Sequence, residues 1–407
     1  LTFFWRGTPA DFARYLEVAY LVAHFRDPAA TVVHGGIAND ANAESWFAAF
    51  LDALKARAAA SPLPARHGYY FDKTAWHWYT VPSNLTVGTP ARVRAMLSER
   101  GIPPKGFWVT EFGAPVWSEY PGPCWDPASP LRVSTAEQGG FVWQAIGEGL
   151  ALGAEVMVLF QLYDDCGNGL ESYDAFGLIR NHEANQCWKP AGQGCWRFDA
   201  ALAGTPRPAY DAFRVATQEI GAASVIESGA GGGWRRTVLQ RAPATRITIA
   251  WNVTRQDIGA AIPAGGARAR LYDLDDAGRP RSRTIAAEGG RFVVRLPRAT
   301  NTSGIGGAPL TDGRPVLLVE DGVPLVSAGY VPGRDLAVTT DTAPPYLALV
   351  RALPATSPML FELSMVAGDA GSGLAAYQFH YAAGAPPRSA GDWQSVGVVL
   401  PWPGTPL

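Results

Sequence analysis

The sequence lacks any stretch of about 18 uninterrupted apolar residues, so no segment is expected to span a bilayer. It also lacks an excess of charge of one sign, because 34 basic residues nearly balance 36 acidic ones. A chain this close to neutrality has no electrostatic footprint for nucleic acid or an anionic membrane, which excludes both as expected partners. With 407 residues, 47% of them apolar, the chain is expected to form two or three domains with substantial cores.

Cysteine is scarce, and the four that occur show no C-x-x-C spacing of the kind that indicates zinc. All lie in loop sequence rich in glycine, proline and tryptophan. We expect two disulfides, Cys187 with Cys195 and Cys124 with Cys166, with free thiols as the alternative. Disulfides would place the protein outside the cytoplasm, secreted or at the cell surface. The chain has no initiator methionine or leader, so any secretion signal is expected to have been removed or to lie outside it.

Nucleotide-binding loops are also missing, since no G-x-G-x-x-G or G-x-x-x-x-G-K-[ST] pattern follows any predicted strand. No cofactor is therefore expected. No H-x-H pair occurs on a predicted strand, so no metal site is expected. A metal-dependent hydrolase barrel is therefore the weaker alternative. The H-x-H spacing is absent around His34, His67, His77 and His182.

The first 220 residues instead alternate between strand and helix patterns. Helices are predicted from Thr8 to about Phe25, from Asn42 to about Arg57, from Thr89 to about Arg100, from Thr135 to Leu152, and after Pro208. Strands are predicted at Thr31 to Ile37, Phe71 to Tyr79, Phe107 to Phe112 and Glu155 to Tyr163. This alternation predicts a parallel sheet with right-handed crossovers.

The loops after these strands are long and aromatic, which suits the C-terminal face of a (β/α)8 TIM barrel. A full barrel needs eight units in about 250 residues, and only four occur here. The array also begins with a helix that no strand precedes. We therefore predict that residues 1 to 220 form the C-terminal half of a barrel, with strands 5 to 8 only.

From residue 221 the pattern changes to short alternating strands separated by turn residues, which predicts an all-β sandwich over residues 221 to 325. After a joint rich in proline and threonine at 339 to 345, alternation resumes with too few strands to close a sandwich. Residues 326 to 407 are accordingly predicted to be a truncated immunoglobulin or fibronectin-like β domain.

The segment GFWVTEFGAP, residues 106 to 115, ends a buried strand with a carboxylate, Glu111. Alternation places Phe107, Val109 and Glu111 on one face, with Glu111 at the end where barrel active sites lie. Burying a glutamate costs free energy unless its carboxylate is solvated, hydrogen-bonded or catalytic. Catalysis is therefore favoured over the alternative, in which the carboxylate caps a backbone amide of a neighbouring loop.

The preceding strand ends in Trp76, His77, Trp78 and Tyr79. His77 and Tyr79 share a face, and both can donate hydrogen bonds to Glu111, although packed core side chains are the alternative. The two tryptophans are expected under the outer helices.

Further residues near the predicted strand ends are candidate sugar ligands. An aromatic ring in such a loop can stack on a sugar or can simply anchor the loop by packing. The aromatic candidates are Trp117, Tyr120, Trp125, Tyr163, Tyr173, Trp188 and Trp196. Gln161, Asp164 and Asp165 are candidate hydroxyl binders, whereas a cap or structural role is favoured for Asp40 and Asp72.

The segments WVTEFGAP, FDKTAWHWY, VVHGGIA and VMVLFQLYDD together resemble the last four strands of clan A glycoside hydrolases, nearest to family 39 and family 5-like enzymes. The resemblance covers about residues 1 to 220 and implies a carbohydrate substrate and a retaining mechanism. It implies that Glu111 is the nucleophile and that His77 and Tyr79 correspond to the H-x-Y of the sixth strand. The sandwich resembles the small β domain that often follows such barrels.

Two departures from this pattern qualify the resemblance. The acid/base glutamate of these families precedes a segment like that of residues 4 to 9, so it would lie upstream of Leu1, and this fragment alone is expected to be inactive. The tryptophan of the eighth strand is replaced by Leu159, Phe160 and Gln161. A non-catalytic carbohydrate-binding or adhesion protein on the same scaffold is the alternative, which the upstream sequence would decide.

Overall fold

The computed structural model describes residues 5–38, 42–81, 85, 87–116, 132–164, 175–180, 200–302 and 309–326, and the backbone of several short segments elsewhere. Its helices are α1 (Pro9–Arg26), α2 (Ala43–Ala60), α3 (Leu63–Arg66), α4 (Pro90–Ser98), α5 (Thr135–Leu152) and α6 (Pro208–Glu219), with short 3-10 helices at Gly68–Tyr70 and Ala200–Leu202. None of the described helices is both long and apolar enough to cross a membrane.

Side-chain caps fix where the long helices begin. Thr8 and Asp11 form a reciprocal capping box at the start of α1, and Ser134 and Glu137 form another at the start of α5. Each box satisfies two backbone N–H groups that the first helical turn leaves unbonded. At its other end α5 is closed by Gly153, whose φ of 96° is readily adopted only by glycine.

A three-stranded parallel sheet organises the first half of the chain, in the order β1 (Lys73–Trp78), β2 (Gly106–Phe112) and β3 (Ala154–Leu159). Two expectations need correction. The segment from 31 to 37 is not a continuous strand, because only Val33 and Ile37 form isolated bridges to β1. The third strand ends at Leu159 and does not continue to Tyr163.

One face of this sheet packs against the helices. Trp76 lies edge-on to Phe47 of α2, with ring centroids 5.9 Å apart, and Trp78 lies against Phe107 at 5.6 Å. Both tryptophans are buried, which confirms their expected position under the helices.

Strands in the second half of the described chain pair antiparallel, apart from one two-residue parallel pairing at the edge of a sheet. The long strands are β6 (Ser224–Gly231), β7 (Trp234–Arg241), β8 (Thr245–Asn252), β9 (Ile258–Pro263), β10 (Arg268–Leu274), β11 (Pro280–Ala286), β12 (Arg291–Leu296) and β13 (Val316–Asp321), preceded in the chain by two-residue strands β4 (Asn185–Gln186) and β5 (Trp196–Arg197). β9 and β12 form a separate pair, and the other long strands join β14 (Leu336–Ala337) in a seven-stranded sheet.

Beyond residue 337 the structure gives only backbone pairing. β15 (Tyr346–Ser357) pairs with β16 (Leu360–Gly368), and β17 (Ala376–Tyr381) pairs with β18 (Gln394–Pro401), both antiparallel. The described chain is therefore mixed α/β, with one parallel sheet followed by antiparallel sheets. The boundaries at 220 and 325 remain predictions.

Helix α5 lies between the two halves and is buried on almost every side. Its Gln144 donates to the carbonyl of Gly313 at 2.6 Å and accepts from the Thr311 hydroxyl at 2.9 Å. A Cβ on Gly147 would come within 3.2 Å of Ile249 on β8, so the small residue lets helix and strand approach closely. The parallel sheet and the antiparallel sheet consequently share one hydrophobic core.

Candidate active site

A register shift between β1 and β2 brings two predicted site residues together. Trp76 pairs with Val109 and His77 pairs with Glu111, so Thr110 is an extra residue on β2. This bulge corrects the expectation that Phe107, Val109 and Glu111 share a face. Phe107 and Val109 are buried toward the helices, whereas Glu111 lies beside His77 on the other face, near the C-terminal ends of adjacent parallel strands.

One oxygen of Glu111 receives both hydrogen bonds expected from the sequence. The Tyr79 hydroxyl donates to Oε2, and His77 Nδ1 lies 3.1 Å from the same atom. No residue in the described part of the chain hydrogen-bonds Oε1. The Glu111 side chain is 28% exposed, so part of it is accessible from outside the protein.

Burial keeps His77 neutral. Desolvation lowers its pKa, and this effect exceeds the opposing influence of the Glu111 carboxylate. A neutral imidazole beside a carboxylate oxygen donates through Nδ1–H, which leaves Nε2 as an acceptor. Nε2 points toward Gly36, where any Cβ would overlap the ring. Glycine at position 36 therefore makes room for this histidine.

Two phenylalanines enclose the ring of Tyr79. Its centroid lies 6.0 Å from that of Phe160 and 5.4 Å from that of Phe176, and the two phenylalanines are 5.6 Å apart. All three contacts have the edge-to-face geometry that aromatic pairs prefer. Tyr79 follows the last residue of β1, so these rings restrain it where the strand no longer does.

The segment after β3 carries three further predicted ligands, and the structure distinguishes them. Gln161 is half-buried, and its Nε2 has no hydrogen-bond partner among the described residues. Tyr163 forms an isolated bridge to Ile179. The Phe160–Gln161 peptide bond is cis.

Asp164 occupies a different environment from the one expected of a sugar ligand. Its two oxygens lie 2.8 and 2.6 Å from the guanidinium of Arg207, and Oδ1 also accepts from the backbone of Gly177 at 2.8 Å. Both side chains are almost completely buried. We interpret Asp164 as a structural residue, because its carboxylate is enclosed by protein donors.

Several predicted residues lie outside the described part of the chain: Asp40, Trp117, Tyr120, Trp125, Asp165, Tyr173, Trp188, His182 and all four cysteines, together with the side chain of Trp196. Asp72 has the structural role expected for it, since it accepts from the backbone of Val32 at 2.8 Å.

Sequence reasoning missed Phe176, Arg207 and Gln138 around the site. Gln138 donates to the carbonyls of Ala114 and Phe176 at 3.1 and 3.3 Å, and so joins the segments that follow β2 and β3. The available signal in the sequence was a polar residue within an apolar helical pattern, such as Gln138 in α5. Among the described residues no group of three or more possible ligands could hold a metal ion.

No family model matches the sequence, and no curated protein matches it significantly. Among solved structures, it is similar to a family 39 glycoside hydrolase from Bacteroides cellulosilyticus, with 15% identity, a TM-score of 0.47, and coverage of 76% of this chain and 54% of that chain.

Two further solved structures show a comparable level of similarity. A family 30 subfamily 8 xylanase from Clostridium acetobutylicum has 13% identity, a TM-score of 0.43, and coverage of 78% of this chain and 61% of that chain. A glucosidase from Croceicoccus marinus has 14% identity, a TM-score of 0.44, and coverage of 79% and 66%. The chain thus spans between 54% and 66% of the lengths of these three structures.

Proposed function

We propose that this chain carries the nucleophile half of a retaining glycoside hydrolase site, acting on O-glycosidic bonds of a poly- or oligosaccharide, with Glu111 as the nucleophile. The observation that supports the proposal most is the asymmetry of the carboxylate. Oε2 is held by Tyr79 and His77, while Oε1 has no described hydrogen-bond partner. A nucleophile needs one oxygen fixed for aim and the other accessible for attack.

In the proposed first step, Oε1 of Glu111 attacks the anomeric carbon as the bond to the leaving oxygen breaks. A glycosyl ester forms, and the leaving oxygen takes a proton from an acid. In the second step, water attacks the same carbon and gives a proton to the conjugate base of that acid, while the ester bond breaks and Glu111 is released as a carboxylate. Two inversions restore the starting anomeric configuration.

The acid of the first step must lie about 5 to 5.5 Å from the nucleophile in a retaining enzyme. The clan A resemblance assigns it to a glutamate upstream of Leu1, and we propose that the parent protein supplies it. The fragment alone would then turn over natural substrates poorly or not at all.

His77 and Tyr79 have two proposed roles. Before attack they hold the carboxylate in one rotamer. During hydrolysis of the ester they stabilise the charge that returns to Oε2, because hydrogen bonds to a charged oxygen are stronger than those to a neutral ester. Gln161, whose buried amide nitrogen has no described partner, is proposed as a ligand of a sugar hydroxyl.

Further expected properties follow from the same proposal. The β domains from 221 onward are proposed as accessory modules of a secreted or cell-surface enzyme, with a neutral carbohydrate as the partner. The aromatic loop residues Trp117 and Tyr163 are proposed to line the sugar cleft.

Covalent labelling tests the proposal on this chain itself. A 2-deoxy-2-fluoroglycoside with a dinitrophenolate leaving group needs no acid to depart, so the missing glutamate does not prevent the first step. We expect one member of a panel of such sugars to add a single glycosyl group, which peptide mapping places on Glu111.

The controls for this labelling lie on the same sheet. Glu111→Gln should abolish the label. Glu155→Gln, on β3 and paired with Lys73 at 2.7 Å, should leave labelling unchanged. Labelling of another carboxylate, or persistence of the label in Glu111→Gln, would overturn the assignment, and sugar binding without labelling would favour the adhesion alternative.

A further inference from the structure

The hydroxyl of Tyr79 must be held by something other than the sheet. β1 ends at Trp78, so the ladder hydrogen bonds that fix His77 do not extend to Tyr79. A tyrosine beyond a strand end has χ1 and χ2 freedom, and small rotations of the ring carry its hydroxyl away from a fixed acceptor. The rings of Phe160 and Phe176 are the described aromatic contacts that limit this rotation, apart from His77 itself.

Phe176 is the better anchored of the two phenylalanines. It is 9% exposed, and its carbonyl accepts from Gln138 Nε2. The preceding carbonyl, that of Ala175, accepts from Val116 N at 2.9 Å. These bonds tie Phe176 to the segment that directly follows Glu111 on β2.

The residue after Phe176 is fixed by the buried ion pair. The N–H of Gly177 donates to Asp164, and its carbonyl accepts from Arg207 at 2.6 Å. A Cβ at position 177 would overlap the backbone of Asp164, so only glycine fits there. The backbone on both sides of Phe176 is therefore held by buried polar groups. The Phe176 side chain consequently has a fixed position, and the ring of Tyr79 packs against it.

We infer that Phe176 is a positioning residue for the nucleophile, acting by holding the Tyr79 hydroxyl on Oε2 of Glu111. The inference rests on the proposed function for its catalytic meaning, but the packing role stands independently of the substrate. Without the Phe176 ring, Tyr79 samples other rotamers, and Oε2 loses one donor for part of the time. Glu111 then rotates more freely and attacks less often.

A double-mutant cycle on the labelling rate separates positioning from general stability. Phe176→Leu is expected to slow labelling of Glu111 by about fivefold, the size of one aromatic contact. Tyr79→Phe removes the hydroxyl, and in that background Phe176→Leu should have almost no further effect. Phe47→Leu, at a buried phenylalanine that packs on Trp76 in the helix layer, serves as the control and should leave the rate unchanged. If Phe176→Leu slows labelling by the same factor in the unsubstituted chain and in Tyr79→Phe, the inference is overturned.

A second measurement needs no sugar and so remains informative if the proposed function fails. The chain is labelled with fluorotyrosine, and the ¹⁹F resonance of Tyr79 is identified by its loss in Tyr79→Phe. In the otherwise unchanged protein, Glu111→Gln should shift this resonance, because the hydroxyl then faces a neutral amide. In Phe176→Leu the response to Glu111→Gln should shrink severalfold.

The outcomes of the two measurements are distinct. The positioning role is overturned if Glu111→Gln shifts the Tyr79 ¹⁹F resonance as much in Phe176→Leu as in the otherwise unchanged protein, whatever the labelling shows. A reduced response with no labelling of the unsubstituted chain by any sugar supports the positioning role and counts against the hydrolase proposal. If Phe176→Leu does not fold, Phe176→Met preserves apolar volume without a ring and is measured in the same way.

Discussion

At the scale of single residues, the site depends on two neutral donors that converge on one carboxylate oxygen. A charged donor in place of His77 would pair with Glu111 and would weaken it in its proposed role as a nucleophile. Burial prevents this by lowering the pKa of the imidazole, so that His77 donates without carrying charge near neutral pH. The arrangement orients Glu111 while leaving its own charge for the proposed reaction.

A second buried histidine has a structural role. His34 is 1% exposed, its Nδ1 lies 2.8 Å from the carbonyl of Gly35, and its Nε2 accepts from the backbone N–H of Ala75 at 3.3 Å. Protonation would place a second N–H against that of Ala75. Burial accordingly lowers the pKa of His34 from 6.5 to about 4.

This shift predicts a pH dependence of stability. Below about pH 6.5 the unfolded chain gains a proton at His34, whereas the folded chain does so only near pH 4, so stability present above pH 6.5 is lost between these values. The expected loss is roughly 3 kcal/mol. Urea unfolding from pH 7 to 4 should show a shallower decline in His34→Gln, with His67→Gln as the control. An unchanged slope in His34→Gln would contradict this account.

At the scale of elements, the segment that follows β3 is joined to the start of α6 by an ion pair. Arg207 lies immediately before α6, and its bond to Asp164 is buried, with side-chain exposures of 0% and 2%. Such a pair contributes less through its net attraction than through the penalty that follows when one charge is removed. The segment from 175 to 180 is fixed between these two elements.

Removing the Asp164 charge should therefore be severe. Asp164→Asn is expected to lower the free energy of unfolding by about 3 to 5 kcal/mol, because the Arg207 guanidinium remains buried beside a neutral amide. The matched control is Asp211→Asn, which breaks an exposed pair with Arg214 on α6 and should cost about 0.5 kcal/mol or less. Urea unfolding measures both. Similar costs for the two variants would show that the buried pair does not fix this region.

The elements also show which features the sequence could predict. Helices α1, α2 and α5 were predicted because capping boxes or amphipathic spacing mark them within a few residues. Strand β11 could not be located from the sequence, because most of its residues are exposed and polar and show no alternation of apolar residues. The bulge at Thr110 was also missed, since an extra residue in one strand is set by pairing with its neighbour and leaves no local signal.

At the scale of the whole molecule, the parallel sheet and the antiparallel sheet are not independent. The predicted boundary at residue 220 divides the sequence where the pattern changes, but α5 is buried by both parts. Periodicity detects changes of secondary structure, whereas a shared core depends on contacts between distant residues such as Gln144 and Gly313. The site geometry was predictable for His77, Tyr79 and Glu111 because neighbouring parallel strands end together.

The shared core predicts cooperative unfolding. A chain that stops at residue 220 would expose the face of α5 that now contacts β6, β7 and β8, together with apolar surface such as that around Gly147. We expect residues 1–220 alone to bind a hydrophobic dye and to show no cooperative urea transition, whereas residues 1–326 unfold in one. A cooperative transition of equal stability in the shorter chain would show that the two parts fold independently.

Chemical rescue tests the central claim, that Glu111 attacks the anomeric carbon, most directly. In Glu111→Gly, azide is supplied with the dinitrophenyl glycoside of the sugar that labels the unsubstituted chain. If Glu111 is the nucleophile, azide fills its place and gives a glycosyl azide whose anomeric configuration is opposite to that of the substrate. Absence of rescue in a folded Glu111→Gly chain, or a product of unchanged configuration, would contradict the claim.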